Sequence, residues 1–248
     1  MEKNVNHIVR WLQERVQEAG VNGLLVGVSG GVDSAVVAYL IQRAFPDHSL
    51  GVMMPINTNP SEMTHAKEVI EASGINGLTL DLTETHDRMY TAISDELKQK
   101  NTFAEENDQL ASANLQARLR MSSLYTLAAH YNYLVVGTDN ASEWYIGYFT
   151  KYGDGGVDIL PLVEFTKAEV REMGDYLGVP DAILGKKPSA GLWEGQTDEA
   201  EIGTSYDVID AYVEGKEIPA KDKELIEKKH RQTAHKRDQV KQFQRLDK

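Results

Sequence analysis

Along the first twenty residues, Val5, Ile8, Val9, Leu12 and Val16 recur at intervals of three and four, which places one apolar stripe on a helix. The pattern then changes. "GLLVGV" at 23–28 is a short, near-continuous apolar run, as expected of a strand covered on both faces. "SAVVAYLIQRAF" from Ser34 reads as a helix stopped before Pro46. "LGVMMP" at 50–55 predicts a second strand, "EMTHAKEVIEAS" a helix, and "LTLDL" at 78–82 a third strand. Two helical stretches follow, about 84–100 and 108–131, before a fourth strand in "YLVVGT" at 133–138. Residues 139–165 and 185–204 are rich in Gly, Asp, Lys and Pro, with little periodicity, and are expected to be functional or mobile loops. From about Lys221 the chain is helical in pattern and locally basic.

Strand and helix alternate, which predicts an α/β fold with a Rossmann-like parallel sheet flanked by helices on both faces. No internal repeat or linker divides the 248 residues, so a single domain over 1–248 is expected. A hydrophobic fraction of 41% and a charged fraction of 26% suit a soluble globular chain. The amino terminus has no apolar signal-peptide core, and no apolar run approaches the roughly 20 residues that span a bilayer. A cytoplasmic location is the expectation. The absence of cysteine excludes disulfides, thiolate metal sites and a cysteine nucleophile. A net charge of -12 argues against a polynucleotide partner, but not against a small nucleotide held by local donors.

The chemistry concentrates in "GVSGGVDSAVVA" at 27–38. Ligands gather beyond the carboxyl ends of parallel strands, where the strand at 23–28 delivers the chain. The following helix turns its free N–H groups and positive dipole end to the same place. Gly30 and Gly31 permit close backbone approach to a phosphate, and Ser29 and Ser34 can donate hydroxyl hydrogen bonds. Asp33 repels phosphate, so its natural partner is Mg²⁺ bridging it to a polyphosphate. The plainer alternative is a glycine turn with Asp33 or Ser34 capping the helix. The stretch is neither a Walker loop, since no G-K-[ST] follows, nor a G-x-G-x-x-G turn.

A strand followed by "SGGVDS" resembles the pyrophosphate loop of the ATP pyrophosphatases, which cleave ATP between its α- and β-phosphates and adenylate a substrate. "QARLRM" at 116–121, "GTDNASEWYIGYFTKYGDGGVDILPL" at 137–162, "FTKAEVR" at 165–171, "KKPSAGLWEGQTDE" at 186–199 and "HKR" at 235–237 follow in order. Together they resemble the ammonia-dependent NAD synthetases over nearly the whole chain. The resemblance implies an adenine nucleotide alpha hydrolase-like fold and ATP-dependent amidation of deamido-NAD through an adenylated carboxylate.

It also implies a set of site residues. ATP would be held by Gly27, Val28, Ser29, Gly30, Gly31, Val32, Asp33, Ser34, Thr138, Lys167 and Ser189, with Lys186 and Lys187 near the phosphates. Asp33 and Glu143 would share Mg²⁺, and Lys167 would contact phosphate. Arg118, Lys151, Asp158, His235 and Lys236 would bind deamido-NAD, and Asp154 would orient or deprotonate ammonium. Arg120, two residues after Arg118, is expected to face elsewhere on its helix and to be structural. Trp144 and Trp193 read as packing residues inside ligand-binding segments. Asn140 stands where many relatives carry His, and Val32 where many carry Gln. The loop at 185–204 is expected to close over the site and exclude water from the adenylate.

Glutamine-using relatives add an amidase domain with a cysteine nucleophile, so ammonia is the expected nitrogen donor here, with no fused glutaminase. Family members are typically homodimers, and the helices at 84–131 are candidates for the interface. Two rival readings stand beside this one: another ATP pyrophosphatase, such as a tRNA-modifying enzyme, and a non-catalytic adenine-nucleotide-binding module.

Overall fold

The computed structural model describes residues 1–189 and 195–245. The chain opens with α1 (Glu2–Ala19), which buries Val5, Ile8, Leu12 and Val16 and ends at Gly20 in the left-handed conformation (φ 65°). β1 (Gly23–Gly27), α2 (Val32–Ala44), β2 (Ser49–Met53), α3 (Pro60–Ser73) and β3 (Asn76–Thr79) then alternate. α4 (Thr83–Gln99) and α5 (Asp108–Tyr131) lead to β4 (Tyr133–Val135). The strands form one parallel sheet in the order β3-β2-β1-β4.

The order explains the hydropathy of β1. Leu24 and Val26 pack in one cluster with α1 and α2, while Leu25 packs in the opposite cluster with Val52, Leu124 and Val135. Successive side chains point to opposite faces of a strand, so a strand covered on both sides has no polar positions to spare. All three side chains are fully buried, each stabilising the fold by about 1.5–3 kcal/mol.

The predicted strands and the first five helices are present with shifted ends. β3 starts at Asn76 rather than Leu78, and β4 stops at Val135, with Val136 bridging in parallel to Ile159. The segment 139–165, expected to be loop, contains α6 (Ala141–Ile146). Its missed signal is a capping box: the Asn140 side chain accepts from the Ser142 and Glu143 amides, and Glu143 reaches back to the Asn140 amide. α7 (Lys167–Leu177) starts on a second capping box, Thr166 with Glu169. The segment 185–204 holds α9 (Asp198–Ile202), preceded by the short α8 (Asp181–Leu184). Residues 190–194, with Trp193, lie outside the described residues. α10 (Tyr206–Val213), α11 (Ala220–Gln232) and α12 (Ala234–Arg237) complete the chain. Ile146, Ile202, Tyr206, Ile209 and Ile226 form a small separate core that ties α6 and α9 to α10 and α11.

Candidate active site

β1 has β2 on one side and β4 on the other: from β1 the chain runs outward through β2 to β3 and then crosses back to β4, so the strand order reverses between β1 and β4. A crevice opens where the order reverses. A cavity of about 400 Å³ occupies it, lined by the loop after β1, the segment after β4 and the start of α7.

The loop after β1 is knitted by its hydroxyls. Ser34 Oγ donates to the Gly31 carbonyl at 3.0 Å and accepts from the Ser29 amide at 3.2 Å. Ser29 Oγ accepts from the Gly31 amide at 3.2 Å and lies 3.1 Å from Ser34 Oγ. Gly30 has φ 82°, and a Cβ there would lie 2.8 Å from His65 Cβ and 2.9 Å from the Ala66 nitrogen. Its glycine therefore serves the close approach of α3. Gly27, Val28, Ser29, Gly31, Val32, Asp33 and Ser34 line the cavity, and Gly30 does not.

Asp33, in the first turn of α2, and Glu143, in the first turn of α6, converge on one cation. Lys167 Nζ donates to Asp33 Oδ2 at 2.6 Å and to Glu143 Oε1 at 2.9 Å. The Lys167 side chain is only 3% exposed, which rules out a lysine merely solvated at a helix start. Burial works against its charge, but Asp33 and Glu143 outweigh that and hold its pKa above the usual lysine value. Burial pushes the Glu143 carboxyl up to about 7, against the pull of Lys167. Asn140 Nδ2 donates to Asp33 Oδ1 at 2.9 Å, so the residue that starts α6 also orients Asp33. Sequence reading singled out Asn140 only as a departure; its N-x-x-E spacing to Glu143 was the available signal.

The cavity is also lined by Asp139, Asp154, Arg120 and Lys236. Asp139 is buried, and its Oδ2 accepts no hydrogen bond among the described residues. Burial, then the neighbouring Asp154, raises its pKa. Asp154 is open to the cavity and accepts from the Thr150 amide at 2.9 Å; desolvation by the surrounding protein raises its pKa against the pull of that hydrogen bond. Lys236 Nζ donates to the Gly147 carbonyl at 2.8 Å and to the Phe149 carbonyl, with burial lowering its pKa. Arg120 corrects the expectation of a residue facing away. It lines the cavity, its Nε donates to the Met54 carbonyl at 3.0 Å, and burial lowers its pKa to about 10. Residues two apart on a helix do face different ways, but the cavity lies on the Arg120 side.

Thr138 and Ser189 also line the cavity, Ser189 donating to the Gln196 carbonyl at 2.9 Å. Lys186 and Lys187 line it too, and Lys186 pairs with Glu62 of α3 across the mouth. Trp144 stacks on Phe149 with ring centroids 4.9 Å apart. Arg118, Lys151, Asp158 and His235 do not line this cavity. Arg118 donates to the Lys151 carbonyl at 3.4 Å, and Lys151 Nζ donates to the His235 carbonyl, forming a chain on the exposed side of α5. Asp158 is held apart from them by the Val135 amide at 2.7 Å and the Tyr125 hydroxyl at 3.0 Å.

The family description "NAD synthase" matches residues 4–244. The NH(3)-dependent NAD(+) synthetase of Alkaliphilus oremlandii is 54% identical over 237 residues, covering 96% of this chain and 95% of that protein. The NMN synthetase structure from Francisella tularensis superposes with a TM-score of 0.89 at 40% identity, covering 97% of both chains. An NAD+ synthetase structure from Burkholderia pseudomallei superposes with a TM-score of 0.78 at 27% identity, covering 95% of this chain and 89% of that one.

Proposed function

This chain belongs to the NAD synthase family, and on that premise we infer that it amidates deamido-NAD with ammonia, coupled to cleavage of ATP into AMP and pyrophosphate. The observation that supports the reading within the molecule is the meeting of Asp33, Glu143 and Lys167 beside the phosphate loop.

A carboxylate does not acylate ammonia directly, because its oxygen is a very poor leaving group. The nicotinate carboxylate therefore attacks the α-phosphorus of ATP, forming an acyl adenylate and releasing pyrophosphate. Ammonia then attacks the acyl carbon and expels AMP. Both substrates of the first step are anions, so the site has to offset their repulsion. The amides and hydroxyls of residues 29–34 and the α2 amino terminus suit the ATP phosphates. Lys167, charged at neutral pH and already within the cavity, supplies a positive charge. Holding both reactants in one crevice contributes much of the remaining acceleration. Asp154, open to the cavity, is suited to orienting ammonia or accepting a proton from ammonium.

The donor set also fits Mg²⁺. Asp33 and Glu143 lie close enough to share one lysine nitrogen, and one or two carboxylates plus phosphate oxygens is the ordinary Mg²⁺ arrangement. When bound, the ion would neutralise charge on the polyphosphate. Asp33 and Glu143 would hold it.

A second acceptor has a specific observation behind it. The Francisella tularensis neighbour is an NMN synthetase, and Arg118 and Lys151 lie outside the cavity of a single chain. Nicotinate mononucleotide offers the same carboxylate without the second nucleotide half. We favour deamido-NAD, with Arg118, Lys151, Asp158 and His235 meeting its adenosine half and Lys236 the part nearer the reaction. The protein is also proposed to be a homodimer through α4 and α5, which expose Met89 (48%), Ile93 (44%) and Leu110 (57%). Among the described residues no helix is long and apolar enough to cross a membrane.

The test is incubation with ATP, Mg²⁺, ammonium and either acceptor, following the amidated product, AMP and pyrophosphate together. Equal yields of all three, dependent on the acceptor, are expected. AMP and pyrophosphate without an amide would overturn the acceptor assignment. A higher kcat/KM with nicotinate mononucleotide would favour the second reading.

A further inference from the structure

We propose that α10, none of whose residues lines the cavity, positions the reacting side chains through Tyr206 and Asp210. These residues are four apart and therefore share one face of the helix. Neither lines the cavity, and both are buried, Tyr206 at 1% and Asp210 at 6% exposure.

Tyr206 acts on the side-chain tips. Its hydroxyl lies 3.0 Å from Glu143 Oε1 and 3.1 Å from Asp198 Oδ2, and Lys167 Nζ sits over its ring, 4.8 Å from the centroid. Lysine over an aromatic face is attracted to it, so the ring supports the ammonium while the hydroxyl fixes the carboxylate that the ammonium meets. The ring cannot swing away, because Tyr206 belongs to the core formed with Ile146, Ile202, Ile209 and Ile226.

Asp210 acts on the backbone. Its Oδ1 accepts from Ser142 Oγ and from the Lys167 amide at 3.3 Å, and its Oδ2 accepts from the Ala168 amide at 2.9 Å. The first amides of a helix have no partner within it, and a carboxylate there is further favoured by the helix dipole. Ser142 immediately precedes Glu143, and the Lys167 amide belongs to the lysine itself. One carboxylate thereby sets the distance between the start of α6 and the start of α7. Glu143 and Lys167, 24 residues apart, are referenced to a single helix face at both backbone and tip.

Removal of such supporting hydrogen bonds typically costs about 10–100-fold in metal affinity or activity. The inference rests on the proposed amidation and on Mg²⁺ at Asp33 and Glu143, so its test carries a readout independent of turnover. Tyr206→Phe keeps the ring and removes the hydroxyl; Asp210→Asn keeps the shape and removes the charge. For each variant, Mn²⁺ binding in the presence of a non-hydrolysable ATP analogue is measured by electron paramagnetic resonance, together with kcat, KM and thermal unfolding. Tyr206→Phe is expected to weaken Mn²⁺ binding and lower kcat by about 10-fold or more, with KM for deamido-NAD within about twofold. A lower melting temperature with unchanged Mn²⁺ affinity and kcat would overturn the proposal, leaving Tyr206 as core packing alone. Should Asp210→Asn not fold, Tyr206→Phe still decides. Failure of the unmodified protein to form NAD would overturn the functional reading, while the Mn²⁺ comparison would still test the role of α10.

Discussion

Lys167 Nζ lies 2.6 Å from Asp33 Oδ2, although 134 residues separate them in the chain. The contact joins the first turn of α2 to the first turn of α7. A lysine is disfavoured at a helix amino terminus, where the dipole is positive. Here it is held by two carboxylates, Asp33 and Glu143, which leave an excess of one negative charge when all three groups are ionised. That excess, in a buried place, is the property that makes the site receptive to a further cation.

Burial, with the Asp33 charge adding to it, makes an ionised Glu143 costly to the unliganded fold. Its pKa is about 7 folded against an ordinary 4.5, so the folded chain holds the proton more tightly. The stabilisation from that proton is complete below about pH 4.5 and is lost as pH rises through about 7. Glu143→Gln is therefore expected to raise the melting temperature at pH 8 without ligands by about 2–4 °C, if the gain is about 1 kcal/mol. The gain should shrink towards pH 5. Turnover of the same variant should fall by about 100-fold or more, as for loss of a transition-state electrostatic group. Differential scanning calorimetry at the two pH values, with a product assay, checks both.

Lys167→Met should act in the opposite sense on stability. Removing the cation leaves two buried carboxylates facing each other, and breaking a buried ion pair in this way costs about 3–5 kcal/mol. The loss should be greatest at pH 8 and eased on acidification, as Glu143 takes up a proton. Urea unfolding across that pH range reads it directly, and amide formation should be undetectable.

Gly30→Ala tests the contact between the loop after β1 and α3. The new methyl would enter a space closed by His65 Cβ and the Ala66 nitrogen, at a positive φ. A destabilisation of about 1–3 kcal/mol is expected, as for a strained backbone position. KM for ATP should rise as Ser29 and Gly31 are displaced. Unchanged stability in thermal melts would show that the loop can yield.

Arg118→Ala separates the two nucleotides. Arg118 lies outside the cavity, on the exposed side of α5. The variant should raise KM for deamido-NAD by about 10-fold, equivalent to about 1.4 kcal/mol, and leave KM for ATP within about twofold. With nicotinate mononucleotide as acceptor the penalty should be smaller. Equal effects on both acceptors would remove Arg118 from the adenosine half.

Met89, Ile93 and Leu97 recur every four residues on α4 and form an exposed apolar stripe. Ile93→Glu should convert a dimer into a monomer in sedimentation velocity, because a desolvated unpaired charge at an interface is strongly unfavourable. A dimer that persists would move the interface elsewhere.

Much of this protein was determined by the sequence alone. The alternation of apolar runs and amphipathic stretches set the parallel α/β fold, because burial on one or two faces imposes a period that local sequence records. The glycine, hydroxyl and carboxylate cluster at 29–34 marked the loop after β1, which lines the cavity, for the same local reason. The capping box of Asn140 and Glu143 was legible too, although the glycine-rich surroundings concealed α6. What only the tertiary structure decided is how distant elements face one another. That Arg120 rather than Arg118 lines the cavity depends on which side of α5 packs against the sheet, and periodicity shows two faces without ranking them. That Lys167 enters the space between Asp33 and Glu143, and that Tyr206 and Asp210 stand behind Glu143 and Lys167, depends on the docking of α6, α7 and α10. Those contacts join positions remote along the chain, and the packing that brings them together leaves no periodic trace in the sequence.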